Sequence, residues 1–359
     1  MPSEVQVRKM LSKVVDPELG KNIVEAGIVR EIGIEGNKAE ITLALTTEDC
    51  PHKARLQEEA QAAAVAVQGI ERAQVKLEVM NPGERRSLME KLAPTMKMNR
   101  VGKMVAVMSG KGGVGKSSVT ALLATLLQRE GLQVGVLDAD VTGPSIPKLF
   151  GITGPVSGTP MGIVPIETKT GIKVISTNLM LPEEDMAIIW KGPIVGNTVK
   201  QFWTDVAWGK LDYLLLDLPP GTSDATLTVM QAMPLDGVVM VTTPQSLSSM
   251  VVRKTVHMSQ ELNTPILGIV ENMSYFIAPD TGTRYEIFGP SHTDEIAEAS
   301  GSPVIGNLPI DPGFTQLADA GEIEQYDHPV CAPLIAAFLN HVPPSKPKAF
   351  LQWVEQGAE

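Results

Sequence analysis

Cysteine is almost missing from this 359-residue chain, which holds only Cys50 and Cys331. Two thiols cannot build a disulfide framework, and such sparing use fits a reducing cytosol. Aromatic residues are also scarce, at 4%, which argues against a base-stacking platform for single-stranded nucleic acid. Basic residues are outnumbered, 30 Lys and Arg against 41 Asp and Glu, for a formal charge of −11. A protein whose main task is gripping nucleic acid carries the opposite balance. No apolar run approaches the roughly 20 residues of a membrane helix, and MPSEVQVRKMLSK has no apolar signal-peptide region. Internal repeats and low-complexity tracts are absent. The expectation is a cytoplasmic protein with no nucleic-acid and no membrane partner. What is present, 43% hydrophobic and 20% charged residues, suffices for real cores. At roughly 100–200 residues per domain, the length points to two domains.

The pattern changes character near residue 82. Before it, Ser3 and Gln6 make a candidate capping box, followed by Val7, Met10, Leu11 and Val14 at helical spacing. Asp16-Pro17-Glu18 breaks that helix, because a residue before proline avoids the helical region. Strands are expected at Ile28–Ile34 and Ala39–Leu45, joined by the turn formers Gly36-Asn37. Pro51 opens an alanine-rich helix that runs to Val67. A strand at Gln74–Val79 completes a small α+β unit, αββαβ, over residues 1–82. Residues 83–100 read as a linker, partly helical, and residues 346–359 as a C-terminal tail; Pro343, Pro344 and Pro347 argue against a membrane-surface helix there.

Between them, over 101–345, apolar strands alternate with helices. Strands are expected at Met104–Met108, Gln133–Leu137, Ile172–Thr177, Tyr213–Leu218, Gly237–Thr242, Ile266–Glu271 and Val304–Leu308. Several are unbroken apolar runs, the form of strands covered on both faces. Val119, Leu122, Leu123, Leu126 and Leu127 form one helical stripe, which Gly131 stops. The fold class is therefore α/β, a mostly parallel sheet flanked by helices.

The strongest chemical signal follows the first of these strands. Gly110 to Ser117 fits G-x-x-x-x-G-K-[ST] in full, between a β-run and an amphipathic helix. Glycines let successive backbone N–H groups of Gly110, Lys111, Gly112, Gly113, Val114 and Gly115 turn toward phosphate oxygens. The helix dipole adds to the same anion site. Lys116 neutralises the β- and γ-phosphates, the Ser117 hydroxyl ligates Mg²⁺, and Ser118 reaches the α-phosphate. Lys111 is either a second charge for the nucleotide or a solvated side chain. Acids stand at two strand ends, where ligands sit in open α/β sheets: Asp138 and Asp140, and Asp217. Asp217 has the form of a group holding Mg²⁺ through water, and Asp140 that of one orienting the attacking water. The alternative is that these aspartates cap helices, as Asp224 is placed to do.

Lys-Gly-Gly-Val-Gly-Lys-Ser, with its lysine at position 111, resembles the deviant Walker A motif of the ParA/MinD/nitrogenase-iron-protein class of P-loop NTPases. Asp138-Ala139-Asp140 with Gly143-Pro144-Ser145, the run Leu216 to Asp224, and Val270-Glu271-Asn272-Met273-Ser274-Tyr275-Phe276 narrow the resemblance to the Mrp/ApbC family. Residues 1–80, with Asp16-Pro17-Glu18 and Thr46-Thr47 ahead of Cys50-Pro51, look like a PaaD/SufT-type domain. The resemblance covers nearly the whole chain. It implies a homodimeric, Mg²⁺-dependent ATPase that carries iron–sulfur clusters to apoproteins, with those clients and other assembly proteins as partners. Lys111 would cross to the partner's phosphates, Lys116 and Ser117 keep their roles, Asp140 lies in switch I and Asp217 in switch II. Asn272 would contact the adenine.

The chain departs from that family at one place. Many members carry Cys-Pro-x-Cys after the Asn-Met-Ser-Tyr-Phe segment, one pair from each subunit holding a shared [4Fe–4S] cluster, but here Ala278 and Thr281 stand at the thiolate positions. Neither can replace a cysteine thiolate. Cys50 is the remaining candidate iron–sulfur ligand, against a reading as a small buried side chain. His52 beside it makes a weak metal pair, and Cys331 matches no motif. The rival to a cluster carrier is a cluster-free nucleotide switch of the MinD/ParA kind, acting on the position or assembly of another protein.

Overall fold

The computed structural model describes residues 2–16, 21–45, 53–81, 83–84, 99–140, 143–159, 162–180, 192–222, 224–245 and 247–349. The chain divides into two units, Met1–Pro94 and Thr95–Glu359. In the first, α1 (Glu4–Leu11) begins where Gln6 Oε1 accepts the Ser3 N–H at 3.0 Å and the Ser3 hydroxyl at 3.3 Å. The expected capping box forms, the Ser3 and Gln6 side chains each reaching the other residue's backbone N–H. Where the sequence suggested only a chain break, β1 (Val15–Asp16) and β2 (Lys21–Asn22) make a short antiparallel ribbon. The hairpin β3 (Val29–Glu35) and β4 (Lys38–Leu45) turns through Gly36, whose φ of 63° suits the first position of a two-residue turn. α2 (Lys53–Val65) then crosses back to β5 (Arg72–Val79), parallel to β4. Leu56, Ala60 and Ala64, four residues apart, bury one helix face with Ile41, Leu43 and Val75.

Both ends of the expected linker belong to folded structure. Asn81 and Glu84 exchange N–H bonds with each other's side chains at 2.9 Å, the reciprocal pattern that opens a helix. Glu84 also pairs with Arg30 on β3 at 2.6 Å. At the other end Asn99 is fully buried, and its amide binds Val206 O at 2.8 Å and the Gly209 N–H at 3.0 Å.

The second unit holds a ten-stranded sheet: β6 (Arg100–Ser109), β7 (Val134–Asp138), β10 (Ile166–Glu167), β11 (Lys173–Ser176), β12 (Lys210–Asp217), β13 (Gly237–Thr242), β14 (Ile266–Ile277), β15 (Arg284–Tyr285), β16 (Val304–Pro309) and β17 (Lys348–Ala349). Two further strands, β8 (Ser157–Thr159) and β9 (Gly162–Val164), form a separate ribbon. The sheet order is β10-β11-β7-β12-β6-β13-β14-β15, with β16 also on β14 and β17 on β6. Only the pairs β10·β11, β14·β15 and β6·β17 are antiparallel. Every residue of β7 and β13 is buried, the signature of strands covered on both faces.

The covering helices are α3 (Lys116–Arg129), α4 (Ile146–Leu149), α5 (Gly192–Thr204), α6 (Asp224–Ala232), α7 (Leu247–Glu261), α8 (Thr293–Ser300), α9 (Pro312–Asp319) and α10 (Cys331–His341). α3 is buried around almost its whole circumference, Thr120, Ala121, Ala124 and Thr125 included, because it packs on β6, β7 and β12 and against α10. Met104, Met108 and Met240 have no exposed surface and act as core filler. The stretch from 346 is not all tail. β6 is longer than β13, which pairs with it only from Val105 onward, so the backbone of Arg100 and Val101 needs another partner. β17 supplies it, and the Ser345 hydroxyl donates to Gly102 O at 2.7 Å.

Candidate nucleotide site

Strands β6, β7 and β12 are adjacent and parallel, so their carboxyl ends open on one crevice edge. β6 delivers the chain into Gly110–Gly115, and α3 begins at Lys116. Gly113 and Gly115 have φ of 77° and 80°, the left-handed region that glycine enters without strain. At Gly115 a second reason applies, since any Cβ would collide with the Asn272 amide. The loop is thus shaped by its glycines to present backbone N–H groups inward, capped by a helix start.

Lys116 and Asp217 are both buried, and Lys116 Nζ lies 2.7 Å from Asp217 Oδ2. The Ser117 hydroxyl donates to the same oxygen at 2.5 Å and Thr120 to Oδ1 at 2.8 Å. A buried carboxylate without such partners would cost several kcal/mol. The P-loop lysine is therefore charge-balanced by the strand-end aspartate in this structure. Ser117 and Asp217 offer a hydroxyl and a carboxylate oxygen, the hard donors Mg²⁺ takes when phosphates and water complete its shell. Those residues fit the ion. Thr120 did not emerge from the motif, although its spacing of four from Lys116 places it on the same helix face.

Asp138 is the register partner of Asp217 on the neighbouring strand and is fully buried. Its oxygens accept the Asp140 and Ile146 N–H groups, at 3.2 and 3.3 Å, and the Ser176 hydroxyl at 3.2 Å. Burial, and next the Asp217 carboxylate, push its carboxyl well above the usual range. The helix-capping alternative thus describes Asp138, which holds the first N–H of α4. Asp140 accepts the Gly143 N–H at 3.2 Å. Asp224 is the first residue of α6 rather than the residue before it.

Lys111 is half-buried and donates to Gln245 Oε1 at 2.6 Å. Gln245 follows β13, and the strand-end rule that located the aspartates would have located it too. Asn272 donates to Val114 O at 2.9 Å, directly on the phosphate loop. Ser118 lies in the first turn of α3, half-buried.

Past the end of β14 lies the segment with Ala278 and Thr281. β14 and β15 form a hairpin, closed by the Ala278 N–H to Thr283 O at 2.9 Å and Gly282 N–H to Ala278 O at 2.8 Å. Ala278 and Thr281 offer no thiolate, so this hairpin does not fit a cluster. Cys50 and His52 lie outside the described residues. Cys331 is buried at the start of α10, its thiol pushed up by burial, as expected of an inert core cysteine.

Against known families, the profile of the NUBPL iron-transfer P-loop NTPases matches residues 100–340. This chain belongs to that family. A second profile, described as an iron–sulfur cluster assembly protein, matches residues 4–77 of the NTPase. Its relatives include an iron–sulfur cluster carrier protein of Synechocystis, 38% identical over 88% of this chain and 89% of that one. Another of the same description, from Clostridium perfringens, is 47% identical over 62% of this chain and 81% of its own. A solved nucleotide-binding protein in complex with ADP, from Archaeoglobus fulgidus, has a TM-score of 0.59 and 44% identity over 66% of this chain and 93% of that one. No helix of the described residues is long and apolar enough to cross a membrane.

Proposed function

We propose that this NTPase hydrolyses ATP and uses the cycle, as a cytoplasmic homodimer, to carry iron–sulfur clusters to apoprotein clients. The observation that carries the reading is the buried Lys116–Asp217 pair with Ser117 and Thr120 around it. It is a phosphate-loop charge that exchanges its protein partner for a nucleotide. Lys116 leaves Asp217 for the β- and γ-phosphates, which bind the N–H groups of Gly110 to Gly115, and Ser118 takes the α-phosphate. Asn272 contacts the adenine from its place beside Val114. Asp140 orients the attacking water, and Lys111 leaves Gln245 for the phosphates of the partner protomer. Mg²⁺, held by Ser117 and through water by Asp217, supplies neutralisation of phosphate charge. The small domain over 1–82 supplies Cys50 as the candidate ligand for cargo, with 101–345 as its motor.

Lys116→Ala removes ATP turnover; unchanged hydrolysis would sink the assignment. Lys111→Ala protomers recover activity when mixed with subunits defective elsewhere, and no recovery counts against action across the dimer. Iron and acid-labile sulfide per dimer, after anaerobic reconstitution of wild type and Cys50→Ser, test the cargo. A specific observation favours a second reading, a cluster-free switch: the hairpin at 277–285 carries Ala278 and Thr281 where many members of the resembled family carry thiolates. Absence of bound cluster in wild type would select it.

A further inference from the structure

β14 is buckled where it passes the phosphate loop. Glu271 pairs with Asn307 of β16 and Tyr275 with Pro309, so β14 spends four steps where β16 spends two. Within the buckle Met273 has φ of 57°, a left-handed conformation that its Cβ disfavours. Asn272 precedes it, with its amide on Val114 O and against Gly115. Something must hold this geometry against relaxation to regular strand.

Glu271 is 1% exposed, a buried carboxyl that neither phosphate-loop motif nor strand-end acid accounts for. Its Oε2 accepts the Ser274 hydroxyl at 2.7 Å, from the far side of Met273. Its Oε1 accepts the Ser291 hydroxyl at 2.9 Å, and Ser291 shares a further bond with Thr293 at the start of α8. Ser274 also donates to Glu271 O at 3.0 Å. The carboxyl thus ties both sides of the kink together and anchors them to the α8 lead-in.

We infer that Glu271 is a positioning residue for nucleotide recognition: it clamps Met273 in the left-handed buckle and thereby holds the Asn272 amide beside Val114 and Gly115, the place from which the proposed adenine contact is made. Without the clamp, residues 272–274 relax toward an ordinary strand. A one-residue slip in strand register turns each side chain to the opposite face. Asn272 then leaves the phosphate loop. The inference rests on Asn272 as the adenine contact, and it adds base selectivity as the property Glu271 sets.

The test is calorimetric binding of ATP and of GTP to the full-length protein, read as the ratio of the two affinities. Asn272→Ala lowers that ratio. Glu271→Ala lowers it about tenfold, equivalent to about 1.4 kcal/mol. Glu271→Gln recovers most of it, since its amide keeps an acceptor for one hydroxyl and a donor the other can turn to meet. Adding Met273→Gly to Glu271→Ala also recovers it, because glycine adopts this φ without cost. A loss of folding alone would not move a ratio of affinities. Should Glu271→Ala fail to fold, Ser274→Ala carries the test, with a fall of about threefold for one lost hydrogen bond. An unchanged ratio in the Glu271 and Ser274 variants, with loss in Asn272→Ala, overturns the clamp alone. An unchanged ratio in Asn272→Ala overturns the adenine reading and the clamp with it.

Discussion

The two ends of β14 differ in almost every physical respect although one strand connects them. At Glu271–Ser274 the side chains are buried or half-buried, and those of Glu271, Asn272 and Ser274 are hydrogen-bonded partners of the phosphate loop or of one another. Beyond Tyr275 the strand runs into a hairpin where Thr281 to Phe288 are all exposed, with Ile277, Tyr285, Ile287 and Phe288 among the large apolar side chains in solvent. The first end is over-determined by partners, and a residue there is replaced only at the expense of several others. The second is held mainly by backbone pairing, so its chemistry can change without disturbing the sheet. That asymmetry explains how a chain can keep the packed glycine loop at Gly110–Gly115 while Ala278 and Thr281 stand where the resemblance leads one to expect thiolates.

The largest effect expected is in the phosphate loop that the constrained end packs against. Lys116→Ala leaves the buried Asp217 carboxylate without its counter-charge, which costs about 3–5 kcal/mol of stability in addition to turnover. Denaturant unfolding of the nucleotide-free protein measures it. Lys116→Ala with Asp217→Asn recovers most of that stability and none of the turnover, since the buried charge is gone but the phosphate-binding charge is not restored. A loss below about 1 kcal/mol in the single variant would mean that water reaches Asp217 and that this end is less constrained than its geometry implies.

At the permissive end the corresponding change is a gain. Ala278→Cys with Thr281→Cys places two thiolates on the hairpin, and the protein then retains iron and acid-labile sulfide above the wild-type level after anaerobic reconstitution. ATP turnover stays at the wild-type rate, because the phosphate site shares no side chain with the hairpin tip. No added iron would mean that the hairpin differs from the family in more than its two ligand positions.

A third test uses pH. Asp138 has a carboxyl raised by burial and by Asp217, so the folded chain holds its proton more tightly than the unfolded one. The stability this supplies is fully present below the ordinary aspartate value of about 3.9. It is lost as pH rises through the elevated folded value. In Asp138→Asn that loss disappears, so the difference in unfolding free energy between wild type and variant shrinks or reverses as pH rises through this window. Parallel pH profiles for the two proteins would show that Asp138 is ionised at no cost in the fold.

How far the sequence revealed this architecture follows the same division. The phosphate loop, its helix and the strand-end aspartates were legible because each is a local pattern: glycines at fixed spacing, an apolar run, an acid where the run ends. Thr120 and Gln245 lie within reach of the same local rules, one a helical turn from Lys116 and one just past a strand end, but neither is an acid or a motif residue, and only packing between elements gives them their partners. The buckle at Met273 was invisible for a related reason. Glu271-Asn272-Met273-Ser274 carries no glycine to mark a left-handed residue, and only pairing with β16 exposes the two extra residues. The ribbons β1·β2 and β8·β9 and the strand β17 are two or three residues long, too short for periodicity to register. The expected tail failed there, since the need to pair the free edge of β6 is a property of the assembled sheet.

The smallest effect separates burial from composition on β14 and its hairpin. Ile287 is 55% exposed and Phe288 37%, whereas Ile269 on β14 has no exposed surface. Ile269→Ala therefore costs about 2–5 kcal/mol through the cavity it leaves between sheet and helices. Ile287→Ser and Phe288→Ser each change stability by no more than about 0.5 kcal/mol, as surface substitutions do. Thermal unfolding of the three variants side by side gives the comparison. A loss above about 1 kcal/mol in either serine variant would require the hairpin to bury these side chains in solution. The hairpin would then be a packed element in its own right, and the freedom to vary its ligand positions would need a different explanation from its exposure.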